Sequence, residues 1–273
     1  MIHTGSKSPP KAVAVIPARY SSTRLPGKPL LDIAGKPLVV WVAERARAAS
    51  SISRTIVATD DPRIVDAVSA AGFDAVITRA DHLSGTDRIA EVAHNLSADI
   101  IVNVQGDEPL IDPDTINRAV NALIEDPDAQ MSTTCEPITD AADVLNPSVV
   151  KVIFDENGYA ACFSRNPIPF PNQAVENYGS LEAALGADPA LLNSFRKHTG
   201  LYAYRRDFLL EFARWPASES ETRESLEQLR ALDHGVKIKV VEAASPSIGV
   251  DTTEDLERVR AMMGGTHASG VPV

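Results

Sequence analysis

Three cations stand in one short loop of an acidic chain: Arg19, Arg24 and Lys28, with no carboxylate between them. They follow an apolar run, residues 12–16, that breaks at Pro17, and Ser21, Ser22 and Thr23 lie among them. Gly27 lets the backbone turn tightly ahead of Lys28. Fixed positive charge and backbone N–H groups at the end of a buried strand suit a polyphosphate. A solvated surface loop could carry the same residues. The second feature is an acid. Residues 99–104, D-I-I-V-N-V, read as a buried strand that runs into Gln105-Gly106-Asp107-Glu108-Pro109. A carboxylate delivered there can hold a hard cation, and Mg²⁺ prefers one or two carboxylates completed by phosphate oxygens. Helix capping is the alternative role, but Asp112-Pro113 already provides a cap for the next helix.

Two common phosphate motifs are absent. The Walker loop needs Ser or Thr after its Gly-Lys, and here Pro29 follows Lys28. The G-x-G-x-x-G dinucleotide fingerprint is missing as well. Further candidates lie downstream. Residues 79–88, R-A-D-H-L-S-G-T-D-R, offer Arg79, Asp81 and Ser84, a mix of donors and acceptors able to read a base edge. Ser84 or Thr86 could equally serve only as a helix cap. His198 and Tyr202 are four apart in R-K-H-T-G-L-Y-A-Y-R, so in a strand they share one face and can line one pocket. Asp251, in G-V-D-T, reads by itself as the cap of a final helix.

The elements that would position these residues alternate strand and helix with short turns. Residues 12–16, 54–59, 74–78 and 99–104 read as strands. Pro37 is expected at the first position of a helix, Asp60-Asp61-Pro62 at the start of another, and Gly72 at its end. That order predicts an α/β fold with a doubly wound, mostly parallel sheet. The second half is less regular. Residues 129–135 and 236–241 read as strands, and 149–155 with 159–164 as a hairpin turning at Glu156-Asn157-Gly158. Residues 171–193 read as a mobile insertion, and residues 221–232 as one helix.

At 273 residues the chain is long enough for one large α/β domain or two small ones. The expected division is a leader over 1–11, a single domain over 12–263 and a tail over 264–273, both ends disordered. A net charge of −11 argues against nucleic acid as a partner. Cys135 and Cys162 form no C-x-x-C pair and read as buried small residues in a reducing compartment. No apolar run reaches the roughly 20 residues of a membrane span. The first ten residues lack a signal-peptide core. A cytoplasmic protein is expected.

Taken in order, A-R-Y-S-S-T-R-L-P-G-K-P-L, T-R-A-D-H-L-S-G-T-D-R and V-N-V-Q-G-D-E-P resemble the sugar nucleotidyltransferases of the GT-A-like fold. The cytidylyltransferases that activate 3-deoxy-manno-octulosonate (Kdo) are the most similar. F-S-R, H-T-G-L-Y-A-Y-R and L-E-Q-L-R are similar to the segments that hold the sugar acid in that family. The resemblance implies transfer of CMP from CTP to Kdo, with release of pyrophosphate and no covalent enzyme intermediate. It implies Arg19, Lys28, Asp107 and Asp251 as the catalytic set, with Asp107 and Asp251 as Mg²⁺ ligands. Ala18, Arg19, Arg24, Lys28, Arg79, Asp81, Ser84 and Gln105 would bind the nucleotide. Arg165, His198, Tyr202, Glu227 and Gln228 would bind the sugar acid. It also implies that residues 12–135 are mainly nucleotide-binding and that residues 136–263, a smaller β-rich region, are mainly for sugar binding and homodimer formation, with a role in lipopolysaccharide synthesis. Ser220 and Thr222 depart from the family pattern, which has larger residues there. Rivals are a cytidylyltransferase for another acidic sugar, such as a sialic acid, and a non-catalytic sugar-nucleotide sensor. A glycosyltransferase would carry Asp-x-Asp where this chain has Gln105-Gly106-Asp107.

Overall fold

The computed structural model of the chain describes residues 10–21 and 25–264. The expected disordered ends fall mainly on residues 1–9 and 265–273, outside the described residues, as does Arg24. The first strand, β1 (Ala12–Ala18), is buried along nearly its whole length. Apolar residues on both of its faces mark a strand covered on both sides. A short 3₁₀ turn at Lys28–Leu30 and a small ribbon, β2 (Asp32–Ile33) with β3 (Lys36–Pro37), lead into α1 (Leu38–Ala48). Pro37 sits just outside that helix, as its cap, and not at the first helical position. Next come β4 (Ile52–Thr59), α2 (Pro62–Ala70), β5 (Asp74–Ile77), α3 (Gly85–His94), β6 (Ile100–Asn103) and α4 (Pro113–Glu125). Asp61 caps α2 and Asp112 caps α4, each through its carboxylate, and each with Pro at the start of the helix.

The second half continues with β7 (Met131–Pro137), α5 (Ala141–Leu145), β8 (Lys151–Phe154), β9 (Ala160–Ser164), α6 (Asn172–Tyr178) and α7 (Leu181–Ala187). It ends with β10 (Arg196–Arg205), α8 (Arg206–Phe212), α9 (Glu219–Glu224), α10 (Gln228–Asp233), β11 (Ile238–Glu242) and α11 (Thr253–Gly264). One nine-stranded sheet runs in the order β11-β7-β10-β6-β1-β4-β5, with β8 and β9 attached beside β10. β1, β4, β5 and β6 are parallel, whereas β10 runs antiparallel to both β6 and β7. Alternate residues of β1 divide the core. Ala12, Ala14 and Ile16 pack with α1, α4 and α11, and Val13 and Val15 pack with α3 and α8. This is the doubly wound arrangement.

Three further sequence expectations change. Residues 171–193 are folded as α6, α7 and a 3₁₀ turn, not as an open insertion. Leu181 and Leu185 of α7 lie on one helical face and close a small core of their own with Ile138, Val144 and Phe195. The single helix over 221–232 is two helices, α9 and α10, broken where Ser225 adopts φ 53° and ends the first. Cys135 is buried, but Cys162 on β9 is only half-buried.

Candidate active site

The carboxyl ends of β1 and β6 lie side by side, since Val15 is paired with Asn103. A cavity of about 310 Å³ opens there, lined by Ala18, Arg19 and Lys28 from one segment, Gln105 and Asp107 from the next, and Asp251. This is the edge at which open α/β sheets bind ligands. The loop after β1 is closed by the Gly27 N–H donating to the Tyr20 carbonyl at 3.1 Å, with Gly27 at φ 69°. Gly106 serves a different purpose. A Cβ there would lie 2.5 Å from the Pro17 carbonyl oxygen, so only glycine lets the two strand ends approach this closely.

Lys28 is the hub of the site. Its ammonium lies 2.6 Å from Asp107 Oδ2 and 3.0 Å from Asp251 Oδ1. Burial lowers the affinity of this amine for its proton, but the two carboxylates outweigh burial and hold it above its ordinary value. Lys28 therefore remains a fixed cation through the neutral range. The Asp251 loop is tied to the Asp107 loop by the Val250 N–H, which donates to the Asp107 carbonyl at 2.8 Å. Arg19 has no acidic partner among the described residues, which leaves a charge facing the cavity.

No cluster of three potential metal-ligating side chains exists among the described residues. Asp107 and Asp251 nevertheless converge on a single positive charge. Two carboxylates completed by phosphate and water oxygens are the donor set that Mg²⁺ takes beside a nucleotide, so these residues fit that ion.

The other predicted residues fall into two groups. Gln105 donates from Nε2 to the Gly200 carbonyl at 2.9 Å, which joins the β6 loop directly to the strand bearing His198 and Tyr202. The rings of His198 and Tyr202 are 5.4 Å apart, on one face as the spacing requires. β10 is irregular between Thr199 and Tyr202, where two extra residues are accommodated, and an even number preserves the alternation. His198 Nε2 shares a hydrogen bond of 2.9 Å with the Thr133 hydroxyl. Glu227 accepts from the Thr86 hydroxyl and, at 3.0 Å, from Arg230. Burial raises its carboxyl above the ordinary range, against the opposing pull of Thr86 and Arg230. Gln228 is 5% exposed, and its Nε2 is a buried donor without a partner among the described residues. Such a group is costly unless something else supplies the acceptor. The Arg165 guanidinium is turned onto the protein itself, donating to the carbonyls of Glu224, Ser225 and Pro147.

Arg79 and Asp81 are not among the residues lining the 310 Å³ cavity. They line a separate hollow of about 800 Å³ between α3 and α8. Arg79 faces Asp81 at 3.5 Å and Glu91 at 3.7 Å. The Ser84 hydroxyl caps α3 in a reciprocal pair with Asp87, so its local role is structural, while Gly85 beside it packs on Pro17. The sequence reading missed Thr86 and Thr133 as partners of Glu227 and His198. Their signal was present: threonines in segments otherwise destined for the core, each needing a polar partner.

His198 carries a pH prediction. Burial pushes its imidazole down to about 3, so the folded protein holds it neutral. The unfolded chain takes up that proton near pH 6.5, and so stability should fall as pH drops from about 6.5 towards 3. His198→Gln should flatten that part of the profile in urea titrations. An unchanged slope would mean that the ring is not protected from protonation.

The cytidylyltransferase family profile matches residues 13–238. The 3-deoxy-manno-octulosonate cytidylyltransferase of Trichlorobacter lovleyi is 51% identical over 251 residues, covering 92% of this chain and 98% of that one. The enzyme of the same name from Pseudomonas fluorescens is 53% identical over 253 residues, covering 91% and 96%. Among solved structures, a CMP:2-keto-3-deoxy-manno-octonic acid synthetase complexed with CTP superimposes with a TM-score of 0.84 at 46% identity, covering 94% of this chain and 99% of that one. A cytidylyltransferase from Leptospira borgpetersenii shares the fold, with a TM-score of 0.59 at 18% identity. The chain belongs to the family of 3-deoxy-manno-octulosonate cytidylyltransferases.

Proposed function

We propose that the protein transfers CMP from CTP to the anomeric hydroxyl of Kdo, giving CMP-Kdo and pyrophosphate and so activating Kdo for lipopolysaccharide synthesis. The observation that carries this reading is the meeting of Lys28 with Asp107 and Asp251 beside Arg19, with Gln105 reaching from that cluster to the strand of His198. A triphosphate site and a sugar-acid site would then share one wall.

The attack joins the anomeric oxygen to the α-phosphorus as the bond to the β-phosphate oxygen breaks, in line. Arg19 and Lys28, the latter kept charged by its acids, neutralise the departing pyrophosphate, and Arg24 is assigned to the same task. Asp107 and Asp251 would hold Mg²⁺. When bound, that ion supplies positive charge at the α-phosphate and a lower pKa for the attacking hydroxyl. Neutral His198 and the Tyr202 hydroxyl accept and donate hydrogen bonds to sugar hydroxyls. Glu227 accepts hydrogen bonds from them, and the amide of Gln228 gains a partner. Ala18, Ser84 and Gln105 contact the nucleotide, with Ala18 acting through its backbone. Arg79 and Asp81 reach the base only if their loop closes over it. Product analysis by mass spectrometry and phosphorus NMR tests the reading: CMP esterified to the anomeric oxygen supports it, and free CMP alone contradicts it.

Arg165 is assigned to the Kdo carboxylate, and it also braces the break between α9 and α10 through Glu224 and Ser225. Arg165→Ala should therefore raise the KM for Kdo by about tenfold or more and that for CTP much less, as for the loss of one charge-assisted pair. Equal changes in both constants would break the division into two half-sites. The protein is further assigned as a homodimer. Leu145, Phe154, Phe170 and Tyr178, all in the irregular second half, are each at least 40% exposed, apolar side chains that a second copy would cover. Sedimentation equilibrium yielding only monomer at micromolar concentration would remove that assignment.

A further inference from the structure

Asp251 is delivered by residues 243–251, a segment without helix or strand between β11 and α11. Its ends are well held. The Ala243 N–H donates to the Cys135 carbonyl at 2.9 Å, the Ser245 hydroxyl donates to Asp112 at 2.8 Å, and Val250 is tied to Asp107. In the middle, Ile248 packs against the core, the Glu108 carboxylate lies beside the Ser247 side chain, and the backbone is anchored by Glu136 at the end of β7, whose Oε1 accepts from the Ser247 N–H at 3.1 Å. Its other oxygen, Oε2, lies 2.8 Å from Lys197 Nζ. Glu136 is 5% exposed, and Lys197 is its cross-strand partner on β10, directly before His198.

With the Glu136 carboxylate buried and the Lys197 side chain 30% exposed, this ion pair is a poor device for stability alone, because desolvation of the carboxylate offsets much of the attraction and a well-packed apolar pair would serve as well. What an apolar pair cannot do is accept from the Ser247 N–H. Both carboxylate oxygens of Glu136 are engaged, one on the loop that presents Asp251 and one on the strand that presents His198. We propose that Glu136, oriented by Lys197, is a positioning residue that fixes the Asp251 carboxylate for metal binding and sets its register against the sugar-acid strand. The inference rests on the cytidylyl-transfer reading and on Asp251 as a Mg²⁺ ligand.

The test compares three variants of the full chain. Glu136→Ala removes the anchor. Glu136→Met with Lys197→Met removes it while refilling the space with an apolar pair, so that the fold is kept. Glu136→Gln keeps an acceptor for Ser247. Both anchor-free variants should raise the Mg²⁺ concentration for half-maximal pyrophosphate release about tenfold, the equivalent of one hydrogen bond to a charged group, with kcat at saturating Mg²⁺ nearly unchanged. Glu136→Gln should recover most of the loss. Independently of turnover, amide hydrogen exchange over residues 245–251 should accelerate about tenfold in the anchor-free variants while residues 12–18 stay protected. Unchanged Mg²⁺ dependence in the Met pair, or equal acceleration across the whole sheet, would overturn the proposal. If the wild type itself releases no pyrophosphate, the cytidylyl-transfer reading fails, and the exchange experiment still decides whether Glu136 anchors the loop.

Discussion

Asp107→Asn should lower turnover by a factor of about a thousand while the protein stays folded. Asparagine keeps the shape of the side chain and loses the charge, and removing one pre-set electrostatic group from a phosphoryl-transfer site costs roughly a hundred- to a thousandfold. The structure supports the upper end. Asp107 is held at the end of β6 by the glycine that approaches Pro17, and its carbonyl anchors Val250 next to Asp251. The cost to stability is expected to be small, about 1 kcal/mol, because Lys28 keeps Asp251 as a partner and all three groups are partly solvated. Steady-state kinetics with a urea melt separates the two effects. Near-normal turnover would remove Asp107 from the metal site.

Lys28→Met should lower turnover about a hundredfold and, unlike the first change, should alter how the protein responds to metal. Lys28 now neutralises Asp107 and Asp251 together. With methionine in its place, two carboxylates face each other uncompensated, and the protein without metal should lose stability. Added Mg²⁺ should then restore it, so the rise in melting temperature on adding Mg²⁺ should be larger for the variant than for the wild type. The same logic gives the sign with pH. The amine of Lys28 is held above its ordinary value, so its contribution is complete below about pH 10.5 and is lost only as pH rises beyond its raised pKa. A Mg²⁺ response that is equal in both proteins would mean that the ammonium and the metal do not share these carboxylates.

The N-terminal half of the site was legible because its signals are local. An apolar run broken at Pro17, a loop of cations, and a strand that runs on into Gly106-Asp107 each announce themselves within ten residues. Their meeting follows from parallel pairing of β1 with β6. The second half was less legible because its order is tertiary. Residues 171–193 look patternless until Leu181 and Leu185 find Phe195 and Ile138 across the chain. Ser225 gives no sequence warning that it will take a left-handed conformation and split one expected helix into two. Glu136 lies one residue past the strand expected over 129–135, and only the fold of residues 243–251 over its carboxylate gives it a task. Arg79 and Asp81 have the right chemistry for a base edge, yet their side chains settle on each other and on Glu91.

The most direct measurement is pyrophosphate release with CTP, Mg²⁺ and a panel of acidic sugars, with ATP, GTP and UTP as controls. Release with CTP and Kdo alone is the predicted result. Release with CTP and a sialic acid, but not Kdo, would keep the triphosphate site and overturn the sugar pocket. No release with any pair would contradict the account and leave a protein that binds sugar nucleotides without making them.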